Sequence, residues 1–184
     1  YYGDNVGNSN YLHNPANIFI EGQPIGLFYG YKFKGIVQEG QEGVPLAEGG
    51  EPRLPGQREY MDLNGNGYID VDDRTIIGDS NPDFMFGFST SFTWKDLTLS
   101  ASFDGCYGNE IFNANLPQIT DVCYNGNVRS YWNVKRDAYF KAWTPQNPNT
   151  TYPALGFAYS NTERYLVTDV FVEDGSFLRV SNVS

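Results

Sequence analysis

The stretch FMFGFSTSFTWKDLTLSASF, from Phe84 to Phe103, decides the fold of this chain. From Phe84 to Trp94 the even-numbered side chains are mostly aromatic, whereas the odd-numbered ones are mostly small or hydroxylic. After a short break the alternation continues from Leu97 to Phe103, with apolar side chains at the odd-numbered positions. A repeat of two residues is typical of β-strands, so this stretch predicts two strands in succession.

A two-residue turn at Lys95 and Asp96 fixes how the two strands pair. The predicted pairs are Trp94 with Leu97, Phe92 with Leu99, Thr90 with Ala101, and Phe88 with Phe103. The apolar side chains of these pairs then lie on one face of the hairpin. The opposite face carries mainly serine and threonine.

The length of the strands indicates their environment. They hold 11 residues (84–94) and about nine residues (97–105), and a tilted strand needs roughly 9 to 11 residues to cross a bilayer. A water-soluble β-sandwich would also have one apolar face, which packs in its core. Strand length, the aromatic Trp94 at the turn and the tight turn favour a transmembrane barrel. We therefore predict an all-β fold, a fragment of an antiparallel transmembrane β-barrel with long extracellular loops and one short loop helix.

Composition limits the classes of partner. The chain has 184 residues, with 12 basic and 22 acidic side chains and a net charge of -10, which argues against nucleic acid as a partner. Its 14 Tyr and 13 Phe, with only 18% charged residues, suit a surface that faces something other than water, or a secreted β protein. No apolar run approaches the roughly 18 residues of a membrane-spanning helix.

The remaining segments predict two further strands and one helix. Alternating side chains indicate a strand within Ile25 to Val37, and Leu178 to Val183 predicts a final strand. An apolar stripe predicts a helix from Arg129 to Trp143. Two long loops, about 38–83 and 106–175, separate the transmembrane strands. We expect residues 1–184 to form part of a single barrel domain that extends beyond this chain.

The segment DLNGNGYIDVDD, from Asp62 to Asp73, has the ligand spacing of an EF-hand calcium loop. Gly67 stands at position 6, where a side chain would hinder the turn, and Ile69 at position 8 is the apolar anchor. No helix is predicted on the upstream flank, so we expect a solitary structural Ca²⁺ loop. The alternative is an Asx-rich surface turn without metal. The predicted ligands at positions 1, 3, 5, 7, 9 and 12 are Asp62, Asn64, Asn66, the carbonyl of Tyr68, Asp70 and Asp73.

Cys106 and Cys123 lie 17 positions apart in the same loop region. The bacterial surface and periplasm permit disulfides, and a bridge closing this loop would contribute about 3 kcal/mol. We predict the disulfide, with two free thiols as the alternative.

No enzyme is predicted. The single histidine, His13, lies among turn-forming residues, and no Ser, Cys or Lys stands in a nucleophile motif such as GxSxG. Aromatic side chains in the loops can instead stack on sugar rings or contact a partner, or they can pack the loops together. These aromatic side chains are Tyr29, Tyr31, Tyr124, Tyr131, Trp132, Tyr139, Trp143, Tyr152, Tyr159 and Tyr165.

An ordered set of motifs over about residues 22–184 resembles one family. The motifs are Gly30-Tyr31, Gly35-Ile36, Pro55-Gly56, DLNGNGYIDVDDRTIIGDSNPDFMFG (62–87), Lys95-Asp96, Gly105 and Gly108 before Asn113, AWTPQNP (142–148) and VEDGSFLRVSNVS (172–184). In this order they resemble the C-terminal barrel portion of the SusC/RagA-like TonB-dependent outer-membrane transporters of Bacteroidetes.

The resemblance implies a function for the parent protein. It implies import of a nutrient, an oligosaccharide or a peptide, across the bacterial outer membrane, powered through TonB and capped by a SusD-like surface lipoprotein. The plug domain, the segment that contacts TonB and the terminal barrel strands would lie outside this chain. The alternative from another class is a secreted, calcium-stabilised β-sandwich that binds carbohydrate without transport.

Overall fold

The computed structural model describes residues 16–47, 49–120, 134–155 and 166–184. Within these residues the chain is mostly antiparallel β-sheet with two five-residue helices. The strands are β1 (Asn17–Ile18), β2 (Leu27–Gly30), β3 (Phe33–Ile36), β4 (Arg58–Tyr60), β5 (Thr75–Asp79), β6 (Phe84–Trp94), β7 (Leu97–Tyr107), β8 (Glu110–Phe112), β9 (Val172–Asp174) and β10 (Phe177–Val183). The helices are α1 (Leu116–Thr120) and α2 (Arg136–Phe140), and single 3₁₀ turns lie at Val71–Asp73 and Asp169–Phe171. None of the described helices is long and apolar enough to span a membrane.

The predicted hairpin is confirmed, register included. β6 and β7 pair over their full length around Lys95 and Asp96, and Trp94 lies opposite Leu97. Each strand holds 11 residues, so β7 extends two residues beyond the predicted end at 105. β10 pairs antiparallel with the other edge of β7, which gives a three-stranded sheet in the order β10-β7-β6. The final strand predicted at Leu178 to Val183 is this β10.

A β-bulge at Ser181 keeps β10 in phase with the sheet. Val180 pairs with Phe103, and the register then shifts so that Val183 pairs with Ala101. Valines three positions apart would lie on opposite faces of a regular strand, because side chains alternate. One extra residue in the strand restores both to the same face.

The prediction of one continuous strand within Ile25 to Val37 was wrong. The segment forms β2 and β3, which belong to separate sheets: β2 pairs with β1 and β5, and β3 pairs with β4. Neither strand joins the β10-β7-β6 sheet. The break follows from packing, since Tyr31 between the two strands is buried and bonds across the chain, its N–H donating to the carbonyl of Val167 at 2.8 Å.

The predicted helix was too long. Helix α2 begins at Arg136 and ends at Phe140, and Trp143 lies beyond it. Residues 129–133 lie outside the described part of the chain. Thr144 and Pro145 follow the helix, but they do not end it. The C-cap residue is Lys141, three positions before Thr144. The short helix α1, which the sequence pattern did not indicate, packs against α2.

Loop segments far apart in sequence share a buried core. Tyr31, Tyr60 and Ile69 pack together, with Leu166 against them, and the rings of Tyr31 and Tyr60 lie 5.9 Å apart. This core therefore joins β4, the segment 62–73 and Tyr31 between β2 and β3. The described parts of both long loops contain regular structure: β4 and β5 of the first loop pair with β3 and β2, and β8 and β9 of the second loop pair with each other.

We predict that Gly30→Ala destabilises this loop core by about 2 kcal/mol, a typical cost of overpacking. A Cβ at this position would overlap the backbone carbonyl of Val167, which cannot move without breaking its bond from Tyr31. The matched control is Gly35→Ala, because nothing lies within 4 Å of a Cβ built there. Thermal unfolding of the full-length protein compares the two; equal melting temperatures would contradict the close approach.

Candidate functional site

One face of the β10-β7-β6 sheet is apolar and uncovered. Phe88 is 54% exposed and Leu99 is 53% exposed, although both belong to 11-residue strands paired along their full length. The rings of Phe88 and Phe103 stack with centroids 4.6 Å apart. In the described part of the chain no second sheet packs over this face, as a β-sandwich would require. The exposed apolar side chains of the face are Phe84, Phe86, Phe88, Phe92, Trp94, Leu97, Leu99, Tyr107, Leu178, Val180 and Val183.

The opposite face is a ladder of paired hydroxyl groups. Side-chain oxygens meet across β6 and β7 at 2.9 Å for Ser89 and Ser102. The next two pairs, Ser91 with Ser100 and Thr93 with Thr98, are 3.2 and 3.1 Å apart. Nearer the loop end, Arg179 of β10 donates to Asp104 of β7 at 2.7 Å. This face therefore satisfies its own polar groups and suits a polar lumen.

Aromatic side chains lie at both ends of the apolar face. Trp94 lies at the turn, with the Lys95 ammonium 4.9 Å from its ring centre, while Phe84 and Tyr107 stack at 5.3 Å at the other end. Strands of 11 residues, tilted by about 45°, give an apolar band about 25 Å tall, the height that a barrel presents to the hydrocarbon core. The sheet has the dimensions of a segment of barrel wall.

The Asx-rich loop at residues 62–73 is organised around Asp73. Its carboxylate is fully buried and accepts backbone N–H groups from Leu63 at 2.8 Å, Asn64 at 3.3 Å and Asp70 at 2.9 Å. Asp73 therefore joins the beginning and the end of the loop. The sequence predicts Asp73 as a calcium ligand. An aspartate that holds the loop together by accepting hydrogen bonds would occupy the same position, so the sequence does not distinguish the two roles.

The other predicted ligands also bind backbone groups within the loop. Asp62 accepts the N–H groups of Gly65 at 2.6 Å and Gly67 at 2.7 Å, and both glycines have positive φ, where a side chain would be strained. Asn64 and Asn66 each accept the N–H two residues ahead, and Asn66 also donates to Asp70 at 2.9 Å. These are Asx turns.

The anchor residue holds the loop on the core. Ile69 is buried, and its N–H donates to the carbonyl of Leu46 at 2.8 Å, while the Leu46 N–H donates to Gly67 at 2.9 Å. Tyr68, whose carbonyl is the predicted ligand at position 7 of the loop, lies in this bridge. Among the described residues, no three His, Cys, Asp or Glu side chains are grouped as a metal centre. Calcium binding by this loop stays a prediction.

No protein-family model matches the chain. TonB-dependent receptor P3 of Formosa agariphila is 34% identical over 95% of the chain, and TonB-dependent receptor P26 of the same organism is 32% identical over 89%. TonB-dependent receptor SusC of Bacteroides thetaiotaomicron is 25% identical over 71%. The solved structure of the RagAB peptide transporter matches 94% of the chain with a TM-score of 0.65 at 22% identity. The chain belongs with the SusC/RagA-like TonB-dependent receptors. It spans 16% of the length of receptors P3 and P26, 12% of SusC and 17% of the RagAB chain.

The SusC/RagA-like assignment explains the three-stranded sheet as part of a barrel wall. The comparisons confirm the antiparallel β-barrel class predicted from the hairpin and the family that the ordered motifs resembled, whereas the extracellular position of the loops stays a prediction. The relatives are receptors and a transporter by name, which supports a role other than catalysis. Sequence reasoning missed the bulge at Ser181, although the spacing of Val180 and Val183 was a signal for it.

Two of the predicted sites in this SusC/RagA-like chain are only partly described. Cys106 lies in β7 with its sulfur 3.3 Å from Asn109 Oδ1. Cys123 lies outside the described residues, so the disulfide stays a prediction.

Of the loop aromatic side chains that could contact a ligand or partner or pack the loops together, Tyr31 and Trp143 are buried, Tyr29 and Tyr152 are partly buried, and Tyr139 is exposed. Packing therefore accounts for Tyr31 and Trp143. Outside the described residues lie Tyr124, Tyr131, Trp132, Tyr159 and Tyr165.

Proposed function

We propose that this chain forms part of the barrel wall of an outer-membrane importer that takes up a nutrient with energy supplied through TonB. The observation that carries the proposal is the β10-β7-β6 sheet. It exposes aromatic and aliphatic side chains on one face and pairs hydroxyl groups on the other. Lipid would contact the first face, and the polar lumen would lie behind the second. The sequence similarity to TonB-dependent receptors supports the same reading.

The proposal extends to substrate and partner. The resemblance of the chain to the SusC/RagA-like family suggests an oligosaccharide or a peptide as the nutrient. It also suggests a SusD-like lipoprotein as a lid over the extracellular loops. One named relative is SusC, and a structural neighbour is the RagAB peptide transporter. We expect the loops at residues 38–60 and 105–168 to carry part of the lid contact, because binding residues concentrate on loops held by a rigid scaffold.

Uptake by the full-length receptor in its own cells tests the import proposal. We expect a strain without the receptor gene to lose growth on one oligosaccharide or peptide source, and a strain without TonB to lose it as well. The receptor should be found in the outer-membrane fraction and change gel mobility on heating, as barrels do. Growth on every nutrient at the parental rate in both strains would contradict the proposal.

Calcium is the proposed structural ion of the loop at residues 62–73, held by the six oxygens named above. The spacing of oxygen donors supports this, together with the glycines of positive φ at Gly65 and Gly67. With three carboxylates we expect weak affinity, on the order of 0.1 to 1 mM. The ion would add order to a loop whose hydrogen bonds already close it.

We predict that calcium slows proteolysis of this loop in the full-length protein and that Asp62→Ala removes the effect. Magnesium at equal concentration is the control for nonspecific screening. The double variant Asp62→Ala and Asp73→Ala should also lack calcium-dependent protection. Protection that is the same with and without calcium in the wild-type protein would refute the site.

A further inference from the structure

Helix α2 and the residues around it differ in charge from the rest of the described chain. Residues 134–155 contain three basic side chains and one acidic side chain, whereas each of the other three described stretches has more acidic than basic residues. Lys141 donates to Asp137 at 3.0 Å. This hydrogen bond lowers the pKa of Asp137 and raises the pKa of Lys141, so the two charges cancel at neutral pH. The remaining positive charge comes from Lys135 and Arg136.

The same helix exposes two aromatic rings to solvent. Phe140 is 70% exposed and Tyr139 is 59% exposed, and the rings meet edge to face at 5.3 Å. The Arg136 guanidinium lies 5.5 Å from the Phe140 ring centre. We call Lys135, Arg136, Tyr139 and Phe140 the α2 patch. Exposed aromatic side chains beside arginine are the residue types that dominate the binding energy of protein interfaces.

A groove of about 480 Å³ continues from the two rings. Trp143, Pro145 and Leu155 contribute to its lining. Trp143 is held in place because its indole N–H donates to Gln38 Oε1 at 3.0 Å. The Trp143 wall of the groove is therefore fixed, and the groove has room for an apolar side chain of a partner beside the cationic residues.

We propose that the α2 patch and its groove are the docking surface for the lid lipoprotein, through an acidic region of the lid that carries an apolar anchor side chain. This inference rests on the proposed function, since that proposal supplies the lid. Charge complementarity selects an acidic partner, because residues 134–155 are the one described stretch with more basic than acidic side chains, in a chain of net charge -10. The groove selects a protein with a side chain to bury, which an anionic polysaccharide lacks.

The test uses the full-length receptor, purified in mild detergent, together with a SusD-like surface lipoprotein from the same bacterium. We expect Phe140→Ala to weaken the complex about tenfold or more, as the loss of an aromatic anchor does. The double charge reversal Lys135→Glu with Arg136→Glu should also weaken it about tenfold, and it should remove the salt dependence of association. All of these side chains are exposed, so the variants should retain the wild-type melting temperature.

Two matched controls keep the result specific. Lys95→Glu reverses a charge at the hairpin turn, and Ile25→Ala removes an exposed apolar side chain from another surface; both should bind the lipoprotein as the wild type does. Wild-type affinity in both patch variants would overturn the inference and leave the proposed function standing. The inference would also be overturned if the patch variants bound the lipoprotein with wild-type affinity but no longer took up an anionic oligosaccharide. A wild-type receptor that binds no lipoprotein would refute the proposed partnership itself, and the inference with it.

Discussion

Arginine in place of Phe88 should destabilise the barrel by roughly 2 to 4 kcal/mol, the cost of a cation near the bilayer midplane, and arginine in place of Leu99, which lies nearer the turn, should cost less. Phe88 lies near the middle of β6 and Leu99 two positions from the start of β7, and both side chains are more than half exposed. Phe88→Arg also removes the stack on Phe103. The free energy of unfolding is measured for the full-length protein in lipid vesicles, by the fraction that keeps barrel mobility on unheated gels at increasing denaturant.

The matched controls lie on the hydroxyl face, one position away in each strand. Ser89→Arg and Ser100→Arg place the same cation in the polar lumen and remove only one hydroxyl pair each. They should cost much less than the apolar-face variants. Equal penalties on the two faces would contradict the orientation of the sheet in the membrane.

Asp73→Ala should unfold the loop at residues 62–73 locally, with a loss of about 3 kcal/mol of protection. The carboxylate is fully buried and accepts three backbone N–H groups. Charge-assisted hydrogen bonds are worth roughly 1.5 to 3 kcal/mol each, and water can replace part of that at the exposed edge of the loop. Hydrogen exchange of the Leu63, Asn64 and Asp70 amides, measured with a chelator present, reports the change without any contribution from calcium.

Asp72→Ala is the matched control for charge, because Asp72 is the exposed neighbour of Asp73. It should leave the three amides protected. Asp73→Asn keeps one acceptor oxygen and should fall between the two. If Asp73→Ala exchanges at the wild-type rate in chelator, the hydrogen bonds of Asp73 do not hold the loop, and its role would have to depend on an ion.

The hairpin could be predicted in detail because its signal is local. A period of two over 11 residues, a two-residue turn and a second period of two leave one register that places the apolar residues together. The structure has the same pairs, from Trp94 with Leu97 to Phe88 with Phe103. The same reasoning failed for Ile25 to Val37, where alternation is present but the chain divides into two strands of different sheets.

The sequence by itself determined the hairpin and its apolar and hydroxyl faces, because strand period and turn length depend on neighbouring residues. The order of the motifs along the chain indicated the family. Only the tertiary structure decided where the strand of residues 25–37 breaks, where α2 ends and what Asp73 binds. Tyr31 is held by Val167, and Trp143 by Gln38, over more than 100 positions of sequence. Such contacts depend on which surfaces the folded chain brings together, and a local pattern of residue types carries no record of them.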